Sequence, residues 1–215
     1  MNYIGIMTQS EIVTVDRNNL SPEIVDKAVR VLNSGELVVA PTDTRYGLLA
    51  KVDDLDAVNR LFEIKGREAN KPSAVFISNV KMLDECAHVS HKAQILANKF
   101  LPGPLTLVLK SKQDLGKFFT LNKMTGFRIS SSPLITNLVQ HTGPLSATSA
   151  NLSGEKELDS VAEIRKQLGD KIELYIDGGK LNNPASTVVS VIDDQVRILR
   201  EGAIAKKEIL DAVNS

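Results

Sequence analysis

The stretch Leu37-Val38-Val39-Ala40-Pro41-Thr42-Asp43-Thr44-Arg45-Tyr46-Gly47-Leu48 constrains this chain more than any other. An apolar run meets a proline and is followed at once by hydroxyl, carboxylate, guanidinium and phenol groups. Proline cannot donate to a ladder and pushes the residue before it to extended geometry, so a strand is expected to end at Pro41. Its polar successors then project from the carboxyl edge, which in open α/β sheets is where ligands bind. If side chains alternate there, Arg45 points opposite to Thr44. The same residues would also serve as a polar loop leading into a helix.

Around this stretch, helical and extended periods interleave. Ser21-Pro22 suits a helix start, and Ile24, Val25, Ala28, Val29 and Leu32 recur at helical spacing up to Gly35. Asp54 is positioned to cap a second helix with an inner stripe of Leu55, Val58, Leu61 and Phe62, ending near Gly66. A strand over Ser73–Ile77, a helix from Ser90 to Phe100 and a strand over Leu105–Leu109 follow. Ser111–Thr125 has no clean period and reads as a surface excursion. Strands at Phe127–Ile129 and Leu145–Thr148 flank a helix around Leu134–Val139, and Ser160 with Glu163 forms a capping box ahead of Val161–Leu168. Strands over Ile172–Ile176, Thr187–Ile192 and Val196–Leu199 precede a closing helix at Lys206–Val213. The pattern predicts an α/β fold: a mixed sheet with helices packed on it, one domain over residues 1–215, without repeats or linkers.

Composition excludes several function classes. Lys plus Arg and Asp plus Glu number 26 each, so no global field favours nucleic acid or an anionic membrane, and any phosphate affinity must be local. The lone cysteine, Cys86, rules out an intrachain disulfide and a cysteine-rich metal site. No apolar run approaches the ~18 residues of a membrane span. Met1–Met7 lacks the basic region and long apolar core of a signal peptide, so a cytoplasmic protein without membrane association is expected.

Three sets of residues are candidates for chemistry. Lys65-Gly66-Arg67, with Lys71 beyond, would bring two cations to one side if the chain is extended after its helix, as suits a polyphosphate. Alternatively they are cations at a helix terminus facing its dipole. Ser149 and Asn151, two apart in a run of small residues after a strand, can donate and accept bonds to a nucleotide or simply form a Ser/Asn turn. Pro102-Gly103-Pro104-Leu105-Thr106, Arg128, Ser186-Thr187 and Arg200-Glu201-Gly202 are strand-end residues, and Arg128, inside an apolar strand, needs a partner. Phosphate-loop, dinucleotide-fingerprint, metalloprotease and serine-hydrolase patterns are absent. His88 and His91 can share a helix face but, like His141, lack the company of further metal ligands. Without a covalent nucleophile, positioning and charge stabilisation are the expected sources of catalysis.

In order, Pro41-Thr42-Asp43-Thr44-x-Tyr46-Gly47-Leu48, Lys65-Gly66-Arg67 with Lys71-Pro72, Pro102-Gly103-Pro104-Leu105-Thr106-Leu107, Ser149-Ala150-Asn151-Leu152-Ser153-Gly154, Ser186-Thr187-Val188-Val189 and Arg200-x-Gly202 resemble the successive signatures of the YrdC-like family. The resemblance spans about Leu32 to Gly202 and is to the short, single-domain type. It implies a twisted mixed sheet around a wide, positively lined cavity. It also implies an enzyme that joins L-threonine, bicarbonate and ATP, with Mg²⁺ on the phosphates, into threonylcarbamoyl-AMP and pyrophosphate. A tRNA-modifying threonylcarbamoyl transferase complex would then make N6-threonylcarbamoyladenosine in tRNAs reading codons that begin with A. By motif match, Lys65 and Arg67 are the catalytic cations. The nucleotide site comprises Lys65, Arg67, Lys71, Thr106, Ser149, Asn151, Ser186 and Arg200, while Thr44 and Arg128 face the threonine. No protein ligands for a resident metal are implied. Two places depart from the family pattern: Arg45 stands where a small apolar residue is usual, and Glu155-Lys156-Glu157-Leu158 lacks the usual serine and proline. A YciO-like paralogue, or the related domain of hydrogenase-maturation carbamoyltransferases, would keep the cavity without threonine specificity. A non-catalytic module binding tRNA, double-stranded RNA or ribosomes is a different class, disfavoured by neutral charge and few aromatics.

Overall fold

A computed structural model describes residues 10–66 and 72–214. The amino-terminal stretch Met1–Met7 and two proposed phosphate ligands, Arg67 and Lys71, lie outside the described residues. In chain order the elements are β1 (Glu11–Thr14), α1 (Pro22–Asn33), β2 (Val38–Pro41), β3 (Tyr46–Leu49), α2 (Leu55–Lys65), β4 (Ala74–Phe76), α3 (Val80–Cys86), α4 (His91–Phe100) and β5 (Leu105–Lys110). They continue with β6 (Thr120–Leu121), β7 (Met124–Arg128), α5 (Pro133–Thr142), β8 (Leu145–Ser149), α6 (Val161–Leu168), β9 (Leu174–Asp177), β10 (Thr187–Ile192), β11 (Gln195–Arg200) and α7 (Lys206–Asn214). The strands form one mixed sheet in the order β1-β9-β2-β3-β8-β4-β7-β5-β10-β11, with β6 paired to β7.

Helix boundaries follow the capping chemistry. The side chains of Asp54, Ser90 and Ser160 accept from the backbone N–H of Ala57, Ala93 and Glu163, satisfying donors that have no partner inside the helix. Ser21 makes no such bond, and α1 starts instead on Pro22, whose missing N–H costs nothing there. In α2 the buried stripe is Ala57, Val58, Leu61 and Phe62, while Leu55 is 67% exposed, contrary to the sequence expectation. A residue in the first turn can still point away from the core when the cap sets the entry angle.

Strands β1, β3 and β6 and helix α3 had no clear signal. Pro41 does not end the sheet: it closes β2 opposite Tyr46, and the chain doubles back at once into antiparallel β3. Thr42–Arg45 is thus a hairpin loop. Leu37, Val39 and Leu48 face one core, and Val38, Ala40 and Leu49 the other, so both strands are apolar throughout and show no alternation. The Ser111–Thr125 excursion is also partly wrong. Phe118 stacks on Phe62 at 4.2 Å, Phe119 is buried, and the chain returns as β6 and β7. His88 precedes α4 while His91 opens it, so the two do not share a helix face.

Alternation is clear in β5, β7 and β10, and it positions the site. Leu105, Leu107, Leu109, Phe127 and Val189 point into the core shared with α2, α4, α6 and α7. Thr106, Val108, Met124, Gly126, Arg128 and Val188, on the opposite face, line a cavity. Among the described residues no helix is long and apolar enough to cross a membrane.

Candidate active site

The cavity has a volume of about 510 Å³, within the usual range for small-molecule sites. Its wall is built from the β2–β3 loop, the face of β5, β7 and β8, and the ends of β10 and β11. Arg45, Arg128 and Arg200 line it together with a single carboxylate, Glu157, among the described residues.

One group of side chains gathers at the β2–β3 loop. Thr42 Oγ1 accepts from the backbone N–H of Thr44 and Arg45, at 3.0 and 3.2 Å, and donates to the Arg45 carbonyl at 2.7 Å. This side-chain turn fixes the loop without glycine. It also abolishes strand alternation at Arg45, which lines the cavity together with Thr44 instead of pointing away from it. Arg128 Nη2 donates to Thr44 Oγ1 at 3.0 Å and to Asp43 Oδ1 at 2.8 Å, and Ser130 donates to the same carboxylate oxygen at 2.5 Å. Burial pushes the Arg128 pKa down, opposed by Asp43 and reinforced by the like charge of Arg200. A guanidinium nonetheless stays protonated at neutral pH. Asp43 therefore supplies the partner Arg128 requires, while Arg128 Nε is buried without a hydrogen-bond acceptor among the described residues.

A second group lies at the β5, β10 and β11 ends. Thr106 Oγ1 is 2.9 Å from Ser186 Oγ, and Arg200 Nη2 donates to the Ser186 carbonyl at 2.9 Å and to its hydroxyl at 3.2 Å. Gly202 makes this approach feasible, since a Cβ there would sit 2.2 Å from the Ala185 carbonyl oxygen. Arg200 has no carboxylate partner among the described residues, so its charge is not neutralised by an acid within the fold. Thr106, Ser186 and Arg200 are thus brought together as the motif match implies. Ser149 joins the lining from β8.

Lys65 and Asn151 are placed differently from Ser149. Lys65 ends α2, Gly66 turns left-handed at φ 59°, and the Lys65 side chain is buried, while Arg67 lies outside the described residues. Its ammonium donates to the carbonyls of Ser149 and Asn151 at 2.5 and 2.7 Å. Asn151 accepts from Ser149 Oγ at 2.5 Å and donates to the Leu152 and Glu155 carbonyls. These contacts hold the loop after β8 in place. Tyr46, also in the lining, accepts from the Gly178 N–H and donates to the Gly179 carbonyl at 2.6 Å, and burial pushes its phenol up to about 12.

Sequence reasoning assigned no role to Asp43, Ser130, Glu157 or Asp159. Asp43 was detectable as an acid beside an arginine in need of a partner. Glu157 and Asp159, which ion-pair with Arg45, carry no local signal because the pairing is long-range.

Comparison with known proteins agrees with this architecture. The Sua5/YciO/YrdC family model, described as telomere recombination, matches residues 30–202. The Bacillus subtilis threonylcarbamoyl-AMP synthase is 35% identical over 202 residues, covering 92% of this chain and 58% of its own length. The crystal structure of P. abyssi Sua5 complexed with L-threonine superposes with a TM-score of 0.88 at 31% identity, over 94% of this chain and 61% of that one. E. coli YciO superposes with a TM-score of 0.85 at 26% identity, over 93% of this chain and 99% of its own. This chain spans about three fifths of the first two proteins. With the mixed sheet, the lined cavity and the ordered motifs in place, the chain belongs to the Sua5/YciO/YrdC family.

Proposed function

We propose that this protein is a threonylcarbamoyl-AMP synthase, joining L-threonine, bicarbonate and ATP and releasing pyrophosphate. The observation that carries the reading is the division of one cavity between Thr44 with Arg128 and Thr106 with Ser186 and Arg200, in a family member that superposes on a threonine-bound Sua5. Arg128, braced by Asp43, offers a spare guanidinium nitrogen to the amino-acid carboxylate. Arg200, without an acidic partner among the described residues, meets nucleotide phosphate. The carbamate oxygen of N-carboxylated threonine attacks the α-phosphorus, and the bond to the bridging oxygen breaks as pyrophosphate leaves. The protein must hold two anions in line and stabilise charge on the phosphoryl oxygens, which fixed cations do without a covalent intermediate.

Lys65 enters this reading as the group that sets Ser149 and the loop after β8, and Arg67 and Lys71 as phosphate ligands. Among the described residues no three His, Cys, Asp or Glu side chains converge as a metal site, so Mg²⁺ would ride on ATP phosphate oxygens and water. The adenylate would pass to a tRNA-modifying transferase complex in the cytoplasm.

The test is pyrophosphate release from ATP, Mg²⁺ and bicarbonate with and without L-threonine. Threonine-dependent release is expected. L-serine should be poorer by a factor of about 10–200, the worth of one buried methyl group. Release indifferent to the amino acid would favour a YciO-like activity, the reading suggested by the near-complete overlap with YciO.

A further inference from the structure

Arg45, in the β2–β3 loop, and Glu157, in the segment after β8, meet at the cavity wall. Arg45 Nη1 donates to Asp159 Oδ1 at 2.5 Å and to the Leu181 carbonyl at 3.1 Å. Its Nε lies 3.2 Å from Glu157 Oε2, an ion pair without hydrogen-bond geometry. Arg45 and Glu157 both line the cavity next to Thr44. The segment between β8 and α6 has no regular structure. At its start the Asn151 side chain ties it to Glu155, and at its end the Leu181 N–H ties it to the Asp159 carbonyl. Between these ties, Arg45 pairs with the Glu157 carboxylate.

We propose that Arg45 is a specificity-determining positioning residue. Through Glu157 and Asp159 it holds the segment 152–159 so that Glu157 stands in the cavity wall beside Arg45, and so limits the size of the amino-acid side chain accepted there. This rests on the function proposed above, because Thr44 and Arg128 must face the amino acid. The pair is only partly exposed, with Arg45 at 22% and Glu157 at 33%, so solvent weakens it less than a surface pair. A single guanidinium serves two carboxylates, so replacing it releases both contacts at once.

The test combines hydrogen exchange of residues 152–159 in the unliganded protein with steady-state kinetics of Arg45→Val, Arg45→Lys and Glu157→Gln/Asp159→Asn. Arg45→Val should speed exchange in that segment, raise KM for threonine about fivefold, leave KM for ATP within about twofold, and improve larger amino acids relative to threonine. Arg45→Lys keeps the charge without the fork and should restore part of the loss. Combining Arg45→Val with the two amide substitutions should add little to either alone. Unchanged exchange in Arg45→Val would overturn the strap. Faster exchange with unaltered threonine KM and selectivity would overturn its role in specificity. If the unsubstituted protein shows no threonine-dependent turnover, the functional reading fails and the amino-acid role with it, while exchange still decides whether the strap exists.

Discussion

Asp43 and Arg128 illustrate how one residue prepares another. A guanidinium buried at the base of a cavity is tolerable only beside a carboxylate, and Asp43 meets that need with one oxygen while Ser130 donates to the same atom. Asp43→Asn should cost about 3 kcal/mol in denaturant unfolding, because it leaves the arginine buried without its counter-charge. It should also raise KM for threonine by loosening Arg128; unchanged stability would show that the pair is not buried in solution. Lys65 carries a different lesson. Expected as a phosphate cation, it donates from its ammonium to the backbone carbonyls of Ser149 and Asn151. Lys65→Ala is therefore expected to lower stability by about 1–3 kcal/mol, the cost of leaving buried acceptors unmet, and to weaken ATP use through Ser149. Loss of turnover with wild-type stability would instead return Lys65 to direct phosphate contact. The residue types needed for the site were legible in the sequence, but which of them face the cavity was not, since that depends on helix termination at Gly66 and on the turn built by Thr42.

Helices were largely legible as elements because their caps are local: Asp54, Ser90 and Ser160 each satisfy a donor within their own first turn. Strand β3 was not, because it is short, uniformly apolar and defined by partners in β2 and β8, and the proline before it normally signals a stop. The same non-local logic hid β1, which pairs with β9 from the far end of the chain. Tyr46 and Tyr175 anchor this end of the sheet, each with a phenol bonded to a backbone carbonyl and pushed by burial to about 12. In the unfolded chain these phenols ionise near 10. Folding thus favours their neutral form: stability should be full below about pH 10 and fall as pH rises from about 10 to 12. Urea unfolding midpoints across that window should decline less steeply in Tyr46→Phe/Tyr175→Phe. Equal slopes for both proteins would place the alkaline transition elsewhere.

At the scale of the molecule, the mixed sheet buries a core on each face of β2 and β3 but opens a cavity on one face of β5, β7 and β10, and two groups in that cavity are chemically distinct. Arg128 is neutralised by Asp43 and shares a threonine hydroxyl, whereas Arg200 rests on a serine without an acidic partner among the described residues. The cation with its own counter-ion suits a substrate carrying one carboxylate, and the other suits a polyanion. Net charge is balanced over the chain, so this local contrast, not a global field, has to recruit ATP. The most direct measurement is the pair of Michaelis constants, for threonine and for ATP, in Arg128→Lys and Arg200→Lys. Each substitution keeps the charge and removes the fork, so folding is disturbed least. A crossed pattern is predicted, in which Arg128→Lys raises KM for threonine about tenfold with little change for ATP, and Arg200→Lys does the reverse. Both variants moving the same constant, or neither moving any, would contradict the division of the cavity into an amino-acid end and a nucleotide end.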